Sequence, residues 1–344
     1  MKKSDLKFLV IGAGAIGGIT AALMKMSGLD VEIVCKYDEY ASLVSDEGLV
    51  ISGICGEFKI KIPAYSSVSR VNERKDIILL ATKATDLEEV TRLIGPLLKE
   101  NGFLISMQNG ICEDRIGSII GKNRLIGCVT GWGATMKSKG DLEMTSAGDF
   151  IIGYPDKKSD VFLSEVADAL SSVVPVKITD NISGHKYSKL IINSCITSLG
   201  AICGLYLGKM LIIRKVRKIF IEIIRESLAV AEKMKINIEV FGGRLDFKKF
   251  IDGDGFLSDL RRHMIILFIG YKYRKLKSSG LQSLERGKPT EVEFLNGYIA
   301  EHALLSGVEV PVNSYIVTII HQIEQGRRDI SASNFDDPFF NRFI

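Results

Sequence analysis

Three polar residues recur at helical spacing in an otherwise apolar stretch of the second half of the chain. Lys189, Asn193 and Thr197 stand at i, i+4 and i+8, so a helix places them on one face. A lysine and an amide on an apolar helix need partners, because buried polar groups without them are costly. Two interpretations are open: a polar seam against another domain, or a cluster that faces a substrate. Lys186 competes with Lys189 for the same face.

A carboxylate near the start of a later helix is the second candidate group. Thr290 and Glu293 have the spacing of a capping box, which predicts a helix that runs to about Ser306. Glu291 then lies in the first helical turn, where the helix dipole favours its ionised form. Spacing alone leaves two roles open for Glu291, helix stabilisation or a carboxylate fixed in a cleft.

A glycine-rich turn near the start of the chain predicts a dinucleotide site. An apolar run beginning at Leu6 enters the turn, and a predicted helix, Ala15–Met26, leaves it. The first glycine allows the turn, the second lets the backbone approach a pyrophosphate, and the third lets the helix pack on the strand. The free N–H groups at the helix start then bind phosphate. The predicted residues are Gly12, Ala13, Gly14, Ala15, Ile16 and Gly17.

Basic and amide side chains follow predicted strands, at the sheet edge where parallel sheets bind ligands. Lys36 follows the second strand, where a cation favours the 2′-phosphate of NADP. A solvated lysine is the alternative, and Asp38 nearby weakens the inference. Lys83 and Asn109 follow two later strands and are placed to contact cofactor or an anionic substrate. Their alternatives are plain solvent exposure and ordinary Asn-Gly turn chemistry.

Composition limits the class of protein. The chain has 344 residues, 46% hydrophobic and 25% charged, which is enough for two domains with sizeable cores. A net charge of +4 is too even to imply a nucleic-acid partner. Six scattered cysteines without CxxC spacing predict reduced residues of a cytoplasmic protein and no metal site. No signal peptide precedes the first strand, and the apolar stretch Leu190–Ile213 carries polar residues, which favours a buried helix over a membrane span.

The order of patterns predicts two domains. Strand patterns continue to Thr179, and helical periodicity dominates after it. The expected fold is α/β, with a Rossmann domain and a mostly parallel sheet over residues 1–179 and an all-helical domain over 180–344. The active site is expected in the cleft between the domains. A last helix is predicted over Val312–Gln325, followed by a polar, loosely structured tail from Arg327.

Together these motifs resemble the ketopantoate reductase (2-dehydropantoate 2-reductase) family over nearly the whole chain. The matching segments are, in order, Gly12–Gly17, Lys36, Ala81–Lys83, Gln108–Gly110, Lys189–Asn193 and Gly287–Gly297. The last two segments are the specific ones, because an ordinary Rossmann enzyme would not carry both at this separation.

The resemblance implies NADPH-dependent reduction of a 2-keto acid to a 2-hydroxy acid, with 2-dehydropantoate converted to pantoate in pantothenate biosynthesis. It implies that Lys189 is the catalytic lysine and Glu291 the active-site glutamate. Lys83 and Asn109 match positions near the nicotinamide and substrate. Dimers are common in the family, so a homodimer is a candidate state. The implied substrate-binding residues are Asn193, Thr197 and Ser279.

The implied residues suit this reaction. Hydride that reaches a ketone carbon leaves developing alkoxide charge on the oxygen. A lysine ammonium within hydrogen-bond reach can stabilise that charge and deliver the proton. A nearby carboxylate holds the lysine or accepts a hydrogen bond from a substrate hydroxyl. It also favours the charged ammonium, against the desolvation that lowers the pKa of a buried lysine.

Three positions depart from the family pattern. Thr197 stands where many members have a second Asn, Leu207 where a further Asn is expected, and Ser283 where Asp is usual. The reaction class is therefore better supported than ketopantoate as the substrate. The alternatives are a reductase of another keto acid, an imine or an opine-like substrate, or a non-catalytic NADP-binding protein. Lys189 and Glu291 argue against the last, since binding alone needs neither.

Overall fold

The fold has two parts, which the computed structural model describes for residues 5–343. The first unit contains the residues up to Gln108 together with Cys112–Ser183. The second contains Asn109–Ile111 together with the residues from Gly184 onward. Within the described range the named strands lie in the first unit, and the second is built of helices. The predicted α/β class with a helical second half is confirmed; the domain boundary placed after residue 179 stays a prediction.

The first unit is built on a mostly parallel sheet. Its strands are β1 (Lys7–Ile11), β2 (Asp30–Val34), β3 (Leu49–Gly53), β4 (Phe58–Ile60), β5 (Ala64–Tyr65), β6 (Lys75–Leu80), β7 (Leu98–Ser106), β8 (Leu125–Thr130), β9 (Gly133–Ser138), β10 (Asp141–Ser146), β11 (Phe150–Gly153) and β12 (Val176–Ile178). Eight strands form one sheet in the order β12-β11-β8-β7-β6-β1-β2-β5. In it β8 and β11 pair antiparallel, and the other neighbours pair parallel. A second sheet has the order β4-β3-β10-β9.

The two sheets together fix the helix that follows the glycine turn. The helices of this unit are α1 (Ala15–Met26), α2 (Asp38–Ser42), α3 (Leu87–Ile94), α4 (Glu113–Ile120) and α5 (Val161–Leu170). The apolar strands β1 and β6 lie in the middle of the larger sheet and are buried, as a parallel sheet covered on both faces requires. The second sheet packs on α1 so closely that a Cβ built on Gly18 would lie 2.4 Å from Leu142 Cδ1.

The second unit is built from α-helices of different lengths, of which the first and the third are the longest among the described residues. The helices after the last strand are α6 (Ile182–Cys203), α7 (Leu207–Ile212), α8 (Arg214–Lys233), α9 (Phe247–Ile251), α10 (Phe256–Lys272), α11 (Ser279–Glu285), α12 (Asn296–Ser306) and α13 (Pro311–Glu324). Apolar side chains of α6, α8, α12 and α13 form its core. Among the described residues, no helix combines the length and the apolar character needed to cross a membrane.

A chain of buried polar side chains joins these four core helices. Ser198 on α6 donates to Asn296 Oδ1 at the start of α12. Asn296 Nδ2 donates to Asn313 Oδ1 on α13 at 2.9 Å, and Asn313 Nδ2 donates to Glu226 Oε2 on α8 at 2.7 Å. The Glu226 carboxylate also accepts the backbone N–H groups of Val312 and Asn313, each at 2.8 Å. We call Ser198, Asn296, Asn313 and Glu226 the polar chain; all four are buried.

The segment that leads into α12 differs from the prediction. A polar loop followed by a single capped helix was expected, but α11 occupies Ser279–Glu285 and a 3₁₀ turn occupies Val292–Phe294. Leu295 then adopts φ −115° and ψ −99°, outside the helical region, so α12 begins only at Asn296. The pattern also missed the short strands β5 and β9 and the helix α10.

The tail is packed rather than loosely structured. Two 3₁₀ turns, Ala332–Asp336 and Pro338–Arg342, place Phe335 and Phe340 in the core of the second unit. Tyr315 on α13 donates to Asp337 at 2.7 Å. The prediction was wrong because it rested on the many polar residues of the tail. The few buried aromatic side chains, Phe335 and Phe340, determine how the tail packs. The final residue, 344, lies outside the described range.

The polar chain predicts a large stability loss when its carboxylate is removed. Glu226→Ala leaves two backbone N–H groups and the Asn313 amide buried without their acceptor, which should cost ~3 kcal/mol of unfolding free energy. Urea denaturation followed by circular dichroism measures this loss. Glu222→Ala is the matched control, one turn earlier on α8, because Glu222 pairs with the partly exposed Arg225 and should cost less than about 1 kcal/mol. Equal losses for both variants would contradict the role given to the polar chain.

Candidate active site

The turn between β1 and α1 has the geometry of a phosphate site. Gly12 has φ +104°, which disfavours any other residue, and its N–H donates to Val34 O at 3.0 Å. A Cβ on Gly17 would lie 2.1 Å from Gly12 O, so that position must also be glycine. Gly14 is exposed, with no atom within 4 Å of a built Cβ, and no side chain caps α1. The start of α1 thus has no side-chain cap and free space beside Gly14, which fits the pyrophosphate of a nicotinamide dinucleotide.

A second cation stands near Lys36, which the sequence did not reveal. Lys36 is exposed just beyond the end of β2, the strand beside β1. Asp38 accepts a hydrogen bond from Ser66 and lies 3.4 Å from the Arg70 guanidinium. The carboxylate that weakened the inference from Lys36 is thus engaged with Arg70. No local signal could identify Arg70, because it comes from a 3₁₀ turn after β5, far along the chain.

The loop that carries Lys83 is fixed by a buried amide. Lys83 follows β6 and is half-buried at the start of a short 3₁₀ turn. Gln108 is buried, and its Nε2 donates to Thr82 Oγ1 at 3.3 Å and to Lys83 O at 3.2 Å. Gln108 therefore positions the loop of Lys83. The motif Gln108–Gly110 includes this residue, but nothing in the sequence indicated its role.

The three polar residues of α6 share a face, but they differ in burial. Lys189 and Asn193 are half-buried, and Thr197 is buried. Lys186, the competing lysine, is only 4% exposed. The sequence alone did not decide which of the two lysines a substrate could reach. The partial exposure of Lys189 favours Lys189 over Lys186 as the lysine that contacts substrate.

The start of α11 is tied to the same helix. Ser278 is buried, caps α11 by accepting from Leu281 N at 3.2 Å, and donates to Thr197 O at 3.3 Å. Ser279 follows and is exposed. Ser283 Oγ donates to Ser279 O at 3.0 Å within α11. The structure thus brings the segment of Ser279 beside Thr197.

Glu291 is held on both sides by α13. The N–H and hydroxyl of Thr290 donate to Glu324 Oε1 at 2.7 and 2.8 Å. Glu293 Oε1 lies 2.6 Å from His321 Nε2, and His321 Nδ1 lies 3.2 Å from Glu324 Oε2. The predicted capping box is therefore wrong: Glu293 reaches His321, and the N–H of Thr290 binds Glu324. Tertiary contacts with α13 form in place of the local cap. They fix the turn that contains Glu291, whose side chain is half-buried.

Asn109 belongs to the second unit, unlike Gln108 before it. A Cβ built on Gly110 would lie 2.3 Å from Phe294 O, so this loop packs directly on the 3₁₀ turn that follows Glu291. Asn109 is half-buried. A side chain other than glycine at position 110 would separate the loop from that turn.

Three segments of the second unit therefore converge on α6 and its neighbours. The Ser278 hydroxyl ties α11 to Thr197, the polar chain ties the start of α12 to Ser198, and the Asn109 loop packs on the turn between Glu291 and α12. An ammonium, a carboxylate, amides and hydroxyls are the groups these segments carry. Such a set can bind a small polar acid and deliver a proton. The glycine turn, Lys36 and Lys83 lie in the first unit.

A surface cavity of about 600 Å³ is lined in part by Glu324. Its lining includes Lys288, Arg328 and Asp329 with apolar neighbours. None of the predicted catalytic or substrate-binding residues lines it. Size alone does not make this cavity the site.

The His321 contacts predict a pH-dependent stability. Burial lowers the pKa of His321, but hydrogen bonds to Glu293 and Glu324 outweigh it and leave the pKa raised above 6.5. A raised pKa means stabilisation that is complete below the unfolded value and lost as pH rises through the folded one. His321→Gln should therefore cost more stability at about pH 6 than at about pH 9, as measured by urea denaturation. Glu293→Gln keeps the His321 ring but removes one of its carboxylate partners, so it should make the stability difference between the two pH values smaller. A stability loss in His321→Gln that is the same at both pH values would contradict the ion pairing.

Two family profiles match the chain. "Ketopantoate reductase PanE/ApbA" matches residues 8–157, and "Ketopantoate reductase PanE/ApbA C terminal" matches residues 181–324. The curated 2-dehydropantoate 2-reductase of Pyrococcus abyssi is 30% identical over 313 residues, which cover 90% of this chain and 94% of the relative.

Solved structures share the fold. A PanE/ApbA family ketopantoate reductase from Ralstonia eutropha has a TM-score of 0.79 at 23% identity, covering 94% of this chain and 99% of that one. D-mandelate dehydrogenase, in its ternary structure with NADH and anilino(oxo)acetate, has a TM-score of 0.81 at 22% identity with the same coverage. These likenesses establish the fold alone. From the profiles and the Pyrococcus relative, the chain belongs to the ketopantoate reductase PanE/ApbA family and is an oxidoreductase that acts on a CH–OH group.

Proposed function

We propose that the enzyme reduces 2-dehydropantoate to pantoate with NADPH, as a step of pantothenate biosynthesis. Reduction of a keto acid follows from the relatives, which carry the name 2-dehydropantoate 2-reductase. The observation that carries the proposal for this chain is the convergence on α6. Lys189, Asn193 and Thr197 share one helical face, and the segments of Ser279 and Glu291 are both tied to that helix.

Lys189 is the proton donor in this proposal. NADPH, when bound, would supply the hydride that reduces the keto carbon of the substrate, and the keto oxygen would then need a proton. The Lys189 ammonium donates a hydrogen bond to that oxygen and transfers its proton, which completes the hydroxyl group. The partial exposure of Lys189, against the burial of Lys186, supports this assignment.

Glu291 keeps the ammonium charged and in place. A carboxylate near Lys189 favours its protonated form and opposes the desolvation that lowers the pKa of a buried lysine. The contacts of Thr290 and Glu293 with α13 hold the turn that carries Glu291 in position. Asn193, Thr197 and Ser279 are the proposed ligands of the substrate's carboxylate and hydroxyl groups.

The glycine turn, Lys36, Lys83 and Asn109 hold the cofactor in this proposal. The residues from Gly12 to Gly17 bind the pyrophosphate, Lys83 and Asn109 lie near the nicotinamide end, and Lys36 binds the 2′-phosphate. The contact of Arg70 with Asp38 adds a second cation near Lys36, which supports the preference for NADPH.

A different 2-keto acid is the alternative substrate. Leu207 is only 3% exposed, so an apolar side chain is buried where the family pattern expects an amide. Ser283 replaces the Asp of the family pattern, so no carboxylate is present there, and its hydroxyl donates to the backbone oxygen of Ser279. D-mandelate dehydrogenase, which shares the fold, was solved with anilino(oxo)acetate. A bulkier keto acid therefore belongs in any substrate test.

We also propose that the enzyme works in the reducing cytoplasm. All six cysteines are free thiols in the structure. Burial raises the pKa of Cys35 to about 12 and that of Cys195 well above its usual value, so both remain protonated and unreactive.

Lys189→Ala is expected to lower kcat for ketopantoate by ~100-fold or more, because it removes the proton donor and the charge that stabilises the alkoxide. NADPH oxidation over a panel of 2-keto acids, including ketopantoate and a phenyl-substituted keto acid, measures this. Glu291→Gln should lower kcat less, and Lys186→Met should leave it near wild type. NADPH binding without turnover of any panel member would overturn the keto-acid reductase proposal. Full activity of Lys189→Ala would overturn the donor assignment alone.

Lys36→Ala is expected to weaken NADPH binding by ~10-fold, because a charge-assisted contact to the 2′-phosphate is lost. NADH binding should stay unchanged, since NADH lacks that phosphate. Fluorescence titration of both cofactors provides the comparison. Arg70→Ala should act in the same direction, whereas Lys25→Ala, on the last turn of α1, is the control. A wild-type enzyme that binds NADH more tightly than NADPH would contradict the role of Lys36.

A further inference from the structure

Glu324, at the end of α13, holds the residue that precedes Glu291. One oxygen of its carboxylate, Oε1, accepts both the backbone N–H and the hydroxyl of Thr290, at 2.7 and 2.8 Å. Hydrogen bonds to a charged acceptor are stronger than those between neutral groups, and two donors of one residue on one oxygen fix that residue's orientation as well as its distance. The Glu324 side chain is 17% exposed, so water competes little for these bonds.

The same contact reaches past Glu291. Thr290 Oγ1, which donates to Glu324, also accepts the backbone N–H of Val292 at 3.3 Å. The residues on both sides of Glu291 are therefore linked to one carboxylate. His321 Nδ1 lies 3.2 Å from the other oxygen, Oε2, so the Glu324 side chain is itself held at both oxygens.

The turn that carries Glu291 is anchored differently on its two sides. After Glu291, the buried side chains of Val292 and Phe294 attach the turn to the core. Before it, residues 285–289 are exposed, and Thr290 is the first buried residue. Exposed segments with few buried contacts open easily. The bonds from Thr290 to α13 are therefore an attachment on the side where packing contributes least.

We propose that Glu324 is a positioning residue for the reaction, which sets the rate of turnover by fixing the backbone from which the Glu291 carboxylate extends. The inference rests on the proposed function, in which Glu291 keeps the Lys189 ammonium charged and in place. A displacement of ~1 Å in the reacting geometry costs on the order of 100-fold in rate, even when its cause lies away from the chemistry. The pyrophosphate contacts of Gly12–Gly17 involve other segments, so NADPH binding should not depend on Glu324.

Steady-state kinetics combined with cofactor titration test the positioning role. With the 2-keto acid that the wild type reduces fastest, Glu324→Ala is expected to lower kcat ~10-fold, because Thr290 loses its acceptor, and to leave the Kd for NADPH within a factor of about two. Glu324→Gln keeps an acceptor oxygen for Thr290 and should recover most of the lost kcat. Glu309→Ala, which removes an exposed carboxylate just before α13, is the control. A wild-type kcat in Glu324→Ala overturns the proposal, and so does a loss in Glu324→Gln as large as that in Glu324→Ala.

A double-mutant cycle tests whether Glu324 acts through Glu291. Residues that act as a unit have non-additive effects on rate. Glu324→Ala should therefore lower kcat by less than about 2-fold when it is added to Glu291→Gln. An equal loss in both backgrounds overturns the proposal. A wild-type kcat in Glu291→Gln alone removes the role of Glu291 from the proposed function and this proposal with it, whereas a loss in Glu291→Gln without one in Glu324→Ala overturns the positioning role only.

Thr290→Val makes the test independent of the folding of Glu324→Ala. It removes the hydroxyl and keeps the N–H that donates to Glu324, so the circular dichroism spectrum should match that of the wild type. Its kcat is expected to fall ~3-fold, as the loss of one hydrogen bond predicts. Thr290→Ser keeps the hydroxyl and is the matched control, with a kcat closer to that of the wild type. Equal kcat values in the wild type and Thr290→Val overturn the proposal.

Discussion

The second unit depends on one requirement, that polar groups buried among apolar helices must find partners. The polar chain meets it by passing from Ser198 through Asn296 and Asn313 to Glu226, which also accepts two backbone N–H groups at the start of α13. Burial raises the pKa of Glu226, and the donors around it counter that rise in part. Each member has one arrangement that satisfies it, so the four helices that contribute them share one register.

That register places the chemical groups. Ser198 lies on α6, and Asn296 follows the turn after Glu291, so the polar chain connects α6 to the carboxylate segment. The bonds from Thr290 to Glu324 and from Glu293 to His321 add a second attachment to α13. Side chains outside the proposed functional set therefore help to hold the site's geometry. The aromatic anchors of the tail add contacts to the same core.

The first unit relies on steric constraints instead. Gly12 and Gly17 lie where a side chain would collide with backbone, and the second sheet packs against α1 at Gly18. The contact of Gly17 with Gly12 is local, so the sequence reveals it directly, whereas Gly12 also meets Ala81 and Gly18 meets Leu142, which lie far along the chain. The limits of α1 match the prediction from Ala15 to Met26 for that reason. The contact between Asp38 and Arg70 depends on tertiary structure, since it joins α2 to the 3₁₀ turn that follows β5, well further along the chain.

The sequence by itself determined the glycine turn, the buried parallel strands, the helical second half and the shared face of Lys189, Asn193 and Thr197, because each follows from local periodicity or backbone sterics. Only the tertiary structure decided the surroundings of Glu291. The sequence suggested a capping box, but Glu324 and His321 on α13 offer partners that a local pattern cannot contain. It also decided that Lys186 is buried while Lys189 is only half-buried, and that large apolar side chains of α10 such as Phe268 and Tyr271 are exposed. Spacing along a helix tells which residues share a face, but only packing determines what that face meets.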